Sequence, residues 1–388
     1  MSGLEKIASV VKAMRQNPGS ASHAARLPRR GGEVLEGVAR PLRVGLAVSL
    51  SGPLAPMGIA AHRGLVLWAE AARPGSRRVE LVVRDDRGDR VLVRRQVEEL
   101  LVRERVDLLA GPYSSGLTRA AAPLAETHGV VLWNHGGAAD DIHRRGYRMV
   151  VGIPTPASRY MLPALRWATG GPVVILHRAA SGFSAAVARG AEIEAARQGR
   201  AVRLEPYPTT REGLENFLGG VRAERPGLLV AAGRLADDVA VARALRRRRI
   251  VVPTALVAAG VRAFGEALGA AADGFVGPSQ WEPTAPLAPD LGPTPHAFAR
   301  RFRTRFGVTP DYPAAQAFAA GLIMGRCIEV AGGLDRERLR AAAASLEVTT
   351  LFGTFRIDSG TGMQVGHEML LVEWLRGRRR MIELPPSK

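Results

Sequence analysis

From Leu42 onward the chain repeats one unit, a short apolar run followed by a stretch with helical spacing. "LRVGLAVSL" precedes "GIAAHRGLVLWAEAA", "VELVVRDD" precedes "RVLVRRQVEELLVRE", and "DLLAG" precedes "LTRAAAPLAETHG". A parallel sheet with crossover helices on its faces is the architecture that such alternation specifies. "GVVLWNH" then leads to "RMVVGI". A second series begins at "SRYMLPALRWATGG" and runs through "PVVILHR", "GLLVAAG" and "VVPTALVA" to "DGFVGPSQW". Two doubly wound units in succession are therefore expected. The length of 388 residues agrees, because it exceeds what one hydrophobic core usually serves. Open sheets of this type bind ligands at the carboxyl ends of their strands.

A proline-rich segment, "WEPTAPLAPDLGPTP", breaks the pattern. Helical material follows it, and then hairpin-like strands in "LFGTFRIDSGTG" and "HEMLLVEWLRGRRRMIEL". Ahead of the repeat, residues 1–41 read as a basic N-terminal arm. Leu4, Ile7, Val11 and Met14 mark one helical face, and "RQNPGSASHAARLPRRGG" has linker composition. The arm shows neither an apolar h-region of ~7–15 residues nor a lipid-attachment cysteine, so no export signal is visible in it. No window approaches ~18 uncharged apolar residues, and stable membrane insertion is not expected.

The formal charge of +18 is the composition's most conspicuous number. Only Lys6, Lys12 and Lys388 are lysines, and every other basic residue is arginine, a bias that genome composition produces without selection for function. The arginines are scattered, with short clusters at Arg246–Arg249 and Arg376–Arg380 and no aromatic residues between them. A solvated face accounts for them, and no nucleic-acid partner is expected. Cys327 is the only cysteine and lies in an apolar helical stretch, which reads as a buried thiol. Asp140, Asp141 and His143 are close in sequence, but the turn signals around them make capping the simpler account. No cofactor or metal spacing is found. Catalysis is not indicated either, because "YSSG" lacks the G-x-S-x-G context and "SLSGPLAPMG" does not match G-x-G-x-x-G.

The polar stretch that most invites a functional reading is "GPYSSG". Gly111 and Pro112 end an apolar strand, and Leu117, Ala121, Leu124 and Ala125 follow at helical spacing up to a C-capping Gly129. Ser114 or Ser115 thus stands at a helix N-terminus, where unpaired N–H groups and the helix dipole favour an anion. From local sequence alone, capping is the better account of one serine, because capping serines are common, and a ligand site is the alternative.

In order and spacing, "VGLAVSLSGPLAPMG", "VVRDDRGDR", "GPYSSGLTRAAAPLAE", "GVVLWNHGGAADDIHRRGY", "DGFVGPSQW" and "LFGTFRIDSGTGMQVGHEMLLVEW" together resemble the type I periplasmic binding proteins, in their branched-chain amino-acid, amide and urea-binding branch. The resemblance covers roughly residues 42–383. It implies an α/β fold of two doubly wound parallel-sheet lobes joined by three crossover segments, near Pro154, Pro278 and Gly366. One lobe would hold residues 42–154 and 279–365, and the other 155–278 and 366–383.

It also implies a non-enzymatic solute-binding protein that closes on a small polar ligand and serves an ABC-type permease. A cytoplasmic sensor signalling to a regulatory protein is the alternative, and an extracytoplasmic location follows from the first reading only. By resemblance, Tyr113, Ser114 and Ser115 contribute hydroxyl and backbone contacts. Asn134 offers an amide, while Gly136, Gly137 and Ala138 let backbone approach the ligand. His135 is either a ligand contact or a polar residue at a strand end. Met57 and Phe183 match side chains that line the cleft from opposite lobes, and Trp281 matches either a ligand cover or a core residue. Where the family's amino-acid binders place an acid for the ligand ammonium, this chain has Ala258 and Ala259. Asp237, Asp238 or another acid would have to substitute for an amino acid to bind, and an amide, a carboxylate or an aromatic acid fits as well.

Overall fold

The computed structural model describes residues 40–384. Apart from Arg40 and Pro41, the basic arm lies outside the described residues. The first repeat folds as expected into strands β1 (Leu42–Val48), β2 (Val79–Asp85), β3 (Leu108–Ala110), β4 (Leu132–Asn134) and β5 (Val150–Gly152). Helices α1 (Ala55–Ala71), α2 (Arg90–Val102) and α3 (Ser115–His128) connect them. The strands form one parallel sheet in the order β2-β1-β3-β4-β5, with Val44 opposite both Leu81 and Leu108. The order reverses between β1 and β3, so the loops after these two strands diverge and leave a crevice at their carboxyl ends.

Both faces of this sheet are covered, which is why its strands read as nearly continuous apolar runs. Val44, Leu46 and Val48 of β1 pack in one core with Leu65 and Trp68 of α1, while Ala47 points to the other with Val93 and Val97 of α2 and Leu117 of α3. The double aspartate of "VVRDDRGD" is structural. Asp85 Oδ1 accepts from the Leu50 and Ser51 N–H groups at 2.9 and 3.3 Å, and Asp86 Oδ1 accepts from Ser49 Oγ at 2.5 Å. Asp89 then starts α2 by accepting from the N–H groups of Val91 and Leu92 at 2.8 and 2.7 Å.

After α4 (Leu162–Trp167), the second series forms β6 (Val173–His177), β7 (Val202–Pro206), β8 (Leu228–Ala232), β9 (Thr254–Leu256) and β10 (Val276–Ser279). Its helices are α5 (Gly182–Arg197), α6 (Arg211–Glu224), α7 (Leu235–Arg248) and α8 (Arg262–Leu268). The chain then returns to the first core with α9 (Pro295–Phe306), α10 (Tyr312–Ala331), α11 (Arg336–Ser345) and the hairpin β11 (Val348–Thr350) and β12 (Gly353–Phe355). Finally β13 (Leu370–Leu375) and β14 (Arg378–Met381) join the second sheet antiparallel, giving the order β14-β13-β10-β9-β8-β6-β7. The chain therefore passes between the two lobes three times.

Helix α10 is the most apolar of the long helices among the described residues. It is long and apolar enough by composition to cross a bilayer, but most of it is buried within the first lobe. Its partner is α1, and a Cβ on Gly64 of α1 would lie 2.2 Å from the carbonyl oxygen of Ala314. Only glycine permits two helices to approach so closely. Cys327, on the same helix, is fully enclosed as expected, and burial pushes its thiol up to about 12.

Candidate functional site

Ser114 and Ser115, adjacent and chemically identical, do different things. Ser114 is the N-cap residue of α3, with extended backbone (φ −134°, ψ −170°), and its carbonyl accepts from Thr118 N at 2.8 Å. Its hydroxyl makes no capping bond and no hydrogen bond to any other described residue. Ser115 is buried, and its Oγ accepts from the N–H groups of Ala138 and Ala139 at 3.1 and 3.0 Å. Neither hydroxyl caps α3. Ser115 instead fastens α3 to the turn after the neighbouring strand, and Ser114 is left unspent at the head of the helix.

That turn is "NHGGA", and most of its polar capacity is consumed internally. Asn134 Oδ1 accepts from Gly137 N at 2.7 Å and Gly136 N at 3.3 Å, and its Nδ2 donates to Gly137 O at 2.8 Å. The glycines allow close approach, but to protein: a Cβ on Gly136 would stand 2.5 Å from Pro112 O and 2.6 Å from Tyr113 Cα. His135 is 1% exposed with no hydrogen-bond partner at either ring nitrogen, and burial pulls its pKa down to about 4, so the ring is neutral. The Asn134 amide and the N–H groups of Gly136, Gly137 and Ala138 are thus all engaged within the protein.

Asp140, Asp141 and His143 do not serve as side-chain caps for their own turn. Asp140 accepts from Ser158 Oγ at 2.6 Å and Ser158 N at 3.0 Å, Asp141 pairs with Arg119 at 2.9 Å, and His143 Nδ1 lies 3.2 Å from Thr361 O. These side chains tie the turn to segments distant in sequence.

Tyr113, next to Ser114 in sequence, belongs to a cluster of aromatic residues drawn from both lobes. The hydroxyls of Tyr113 and Tyr312 share a hydrogen bond, with ring centroids 6.5 Å apart. Tyr160 meets Phe183 edge to face at 5.1 Å and accepts a hydrogen bond from Gln280 Nε2 at 2.8 Å. Burial raises the pKa of all three phenols, which therefore keep their protons. The lobes meet beside them: a Cβ on Gly182, at the head of α5, would lie 2.5 Å from Arg119 Nη2 on α3. A cavity of about 380 Å³ is lined by Met57 of α1, Arg262 and Glu266 of α8, Phe302 of α9, and Asp311 and Pro313, the two sequence neighbours of Tyr312. A smaller cavity, of about 180 Å³, lies near Thr155, Arg159 and His367 and contains none of the residues singled out in the sequence.

Trp281 does not cover the site. It is 1% exposed and packs edge to face on Phe298 at 5.8 Å in the first lobe's core. Sequence reasoning missed Tyr160, Tyr312 and Gln280. Tyr312 directly follows a helix-starting aspartate, a local signal, but its partner lies 199 residues away.

The acids in reach of Ala258 and Ala259 are already committed. Asp237 takes both Nε and Nη2 of Arg178, at 2.5 and 2.8 Å, which lowers its pKa. Asp238 is fully buried, hydrogen-bonded by the Tyr207 hydroxyl and by the N–H groups of Gly233 at 3.0 Å and Ala258 at 2.8 Å. Burial outweighs these bonds and raises its pKa to about 7.

A model of the periplasmic binding protein family matches residues 41–379. The chain belongs to the periplasmic binding protein family. Solved structures agree in fold. A branched-chain amino-acid transporter substrate-binding protein, LivJ, from Streptococcus pneumoniae, in complex with isoleucine, is 16% identical, with a TM-score of 0.74 over 88% of this chain and 99% of that one. A solute-binding protein of an ABC transporter from Rhodopseudomonas palustris, in complex with benzoate, is 22% identical, with a TM-score of 0.72 over 89% and 96%. Another from the same species, in complex with 3,4-dihydroxybenzoic acid, is 19% identical, with a TM-score of 0.73 over 89% and 96%. Members of the family bind solutes and do not transform them, which agrees with the non-enzymatic reading of the sequence.

Proposed function

We propose that this family member is the solute-binding component of an ABC-type importer and holds a small carboxylate-bearing solute between its lobes, with the carboxylate at the head of α3. The observation that carries the reading is the unspent hydroxyl of Ser114 at that position. Helix N-termini offer N–H groups and partial positive charge to an anion, and an additional hydroxyl donor makes the site selective. The ligands of the solved relatives, isoleucine, benzoate and 3,4-dihydroxybenzoic acid, have a carboxyl group in common. The reading takes residues 42–154 with 279–365, and 155–278 with 366–383, as bodies that hinge near Pro154, Pro278 and Gly366 and deliver the solute to a permease.

A thermal-shift screen of small carboxylates, amides and amino acids tests this. At 100 times Kd a ligand adds about 2.7 kcal/mol of stability. The expected result is a saturable rise with one class of carboxylate that Ser114→Ala abolishes while leaving the melting temperature of the free protein unchanged. A response to amides alone, or one that Ser114→Ala leaves intact, refutes it.

A further inference from the structure

Two lobes that hinge need their three crossover segments to turn together, and one side chain touches all three. Resting on that two-lobe reading, we infer that His367 is a positioning residue that pins the crossover segments to one another, so that the lobes turn about a single axis and the cleft presents one geometry to its solute.

The ring stands where the segments run side by side. His367 follows Gly366 in the third crossover and is 2% exposed. Its Nδ1 shares a hydrogen bond with the hydroxyl of Thr155, next to Pro154 in the first crossover. Its Nε2 lies 3.1 Å from the carbonyl oxygen of Gln280, just past Pro278 in the second. Three backbones are thus joined through one planar group with few rotatable bonds.

These partners fix the state of the ring. A carbonyl oxygen only accepts, so Nε2 carries the proton, and Nδ1 is left to accept from the Thr155 hydroxyl. Burial pulls the pKa of the ring down to about 4, which keeps it neutral near pH 7. Phe352 stacks on the ring face, with centroids 4.4 Å apart and planes inclined by 15°. The hairpin of the first lobe therefore holds the face of the ring while its nitrogens hold the crossovers.

Neighbouring side chains act in the same sense. Gln364 Oε1 accepts from the N–H groups of Gly366 at 2.8 Å and His367 at 3.3 Å, and its Nε2 donates to Ile153 O at 3.3 Å. Arg159 Nη1 donates to Val365 O at 2.9 Å. Both ties bind the third crossover to the first, and His367 adds the second.

Gln280 carries the constraint forward. Its carbonyl is held by the pin, while its Nε2 donates to the Tyr160 hydroxyl at 2.8 Å, and Tyr160 meets Phe183 edge to face. A turn at the crossovers therefore moves this part of the aromatic cluster with it. Crossovers that turned independently would let the lobes sample many orientations, and a solute that needs one of them would bind more weakly by the fraction of time in which that orientation is absent.

Pulsed electron double resonance between spin labels on Val91→Cys and Leu235→Cys tests the pin in the full chain, since both residues are exposed and stand near the heads of α2 and α7 in opposite lobes. Cys327 is enclosed and shielded from the label. The parent is expected to give one narrow distance distribution. His367→Phe keeps the stack on Phe352 but removes both nitrogens, and should broaden the distribution and add longer distances. His367→Gln restores a donor toward the Gln280 carbonyl and should fall between the two. Thr155→Val exchanges a hydroxyl for a methyl of similar size and should broaden the distribution in the same direction, and it carries the test if His367→Phe does not fold. Asp311→Asn removes the charge paired with Arg379 between the lobes, away from the pin, and should lengthen the distances whether or not the pin exists. Unchanged distances in His367→Phe and Thr155→Val beside a shift in Asp311→Asn would overturn the pin and leave two mobile lobes standing. Distances unchanged in every variant would mean that the lobes form one rigid body, and would overturn the hinge reading together with the pin.

Discussion

Arg379, on the outer strand of the seven-stranded sheet, places its guanidinium 3.3 Å from the carboxylate of Asp311, the residue that starts the long core helix of the other lobe. Asp311 also accepts from Tyr312 N at 3.0 Å, and the Tyr312 hydroxyl bonds to Tyr113 beside Ser114. Arg262 reinforces the contact by donating to the carbonyls of Thr309 and Pro310 at 3.3 and 3.1 Å. A charge pair between the lobes is thus one residue away from the aromatic cluster. Any movement that separates the lobes must also disturb the start of α10.

Two substitutions separate the charge at Asp311 from its capping role. Asp311→Asn keeps an oxygen for the helix start and loses the charge, so the expected cost is roughly 1–3 kcal/mol, between that of an exposed pair and that of a fully buried one. Asp311→Ala removes the cap as well and should cost about 1 kcal/mol more. Urea denaturation of both variants measures the difference. Equal losses would mean that the oxygen contributes nothing to the helix.

Ser115→Ala strands the N–H groups of Ala138 and Ala139 in the interior. The predicted loss is about 1–3 kcal/mol of stability in the free protein, read by thermal or chemical denaturation. Ser114→Ala is its control, since that hydroxyl has no protein partner to lose. A Ser115→Ala protein as stable as the parent would remove the structural role assigned to this serine.

Gly136→Ala drives a Cβ into backbone atoms of Pro112 and Tyr113 that cannot turn aside as a side chain would. A loss exceeding about 3 kcal/mol is expected, together with weakened ligand binding, because the displaced backbone leads directly to Ser114. Gly220→Ala, in the exposed interior of α6 with nothing within 4 Å of the new Cβ, should instead gain about 0.5–1 kcal/mol. Denaturation of the two proteins side by side tests the contrast, and a Gly136→Ala variant at wild-type stability would show that the turn yields.

The fold was legible in the sequence because apolar periodicity repeats from strand to strand, and because Asp89, Thr294, Asp311 and Asp335 all lie where a helix begins. The division of labour between Ser114 and Ser115 was not legible. Both share the same local preferences, and the donors that claim Ser115 come from a turn 23 and 24 residues further on. Trp281 stayed open between cover and core for a related reason: an aromatic residue beyond a strand end has two faces to choose from, and Phe298, on a helix that follows the proline-rich segment, draws it into the core. The Tyr113 and Tyr312 pair depends on the chain returning to the first lobe, which no local pattern encodes.

His135 supplies the last prediction. Its ring is enclosed with both nitrogens unpartnered, so the native state bears the cost of a buried polar group and resists protonation. Burial lowers its pKa from 6.5 to about 4. A histidine with a depressed native pKa takes up its proton in the unfolded chain first, so the stability it contributes is present above pH 6.5 and is lost as pH falls toward 4, by about 3 kcal/mol in all. His135→Met, close in volume and apolar, should be more stable than the parent by about 1–3 kcal/mol at pH 7.5. Its advantage should widen by about 3 kcal/mol by pH 4, because the variant has no proton to take up at this position. Urea denaturation of both proteins across that range gives the two curves, and parallel curves would mean that the ring of His135 is protonated or hydrogen-bonded in the native state.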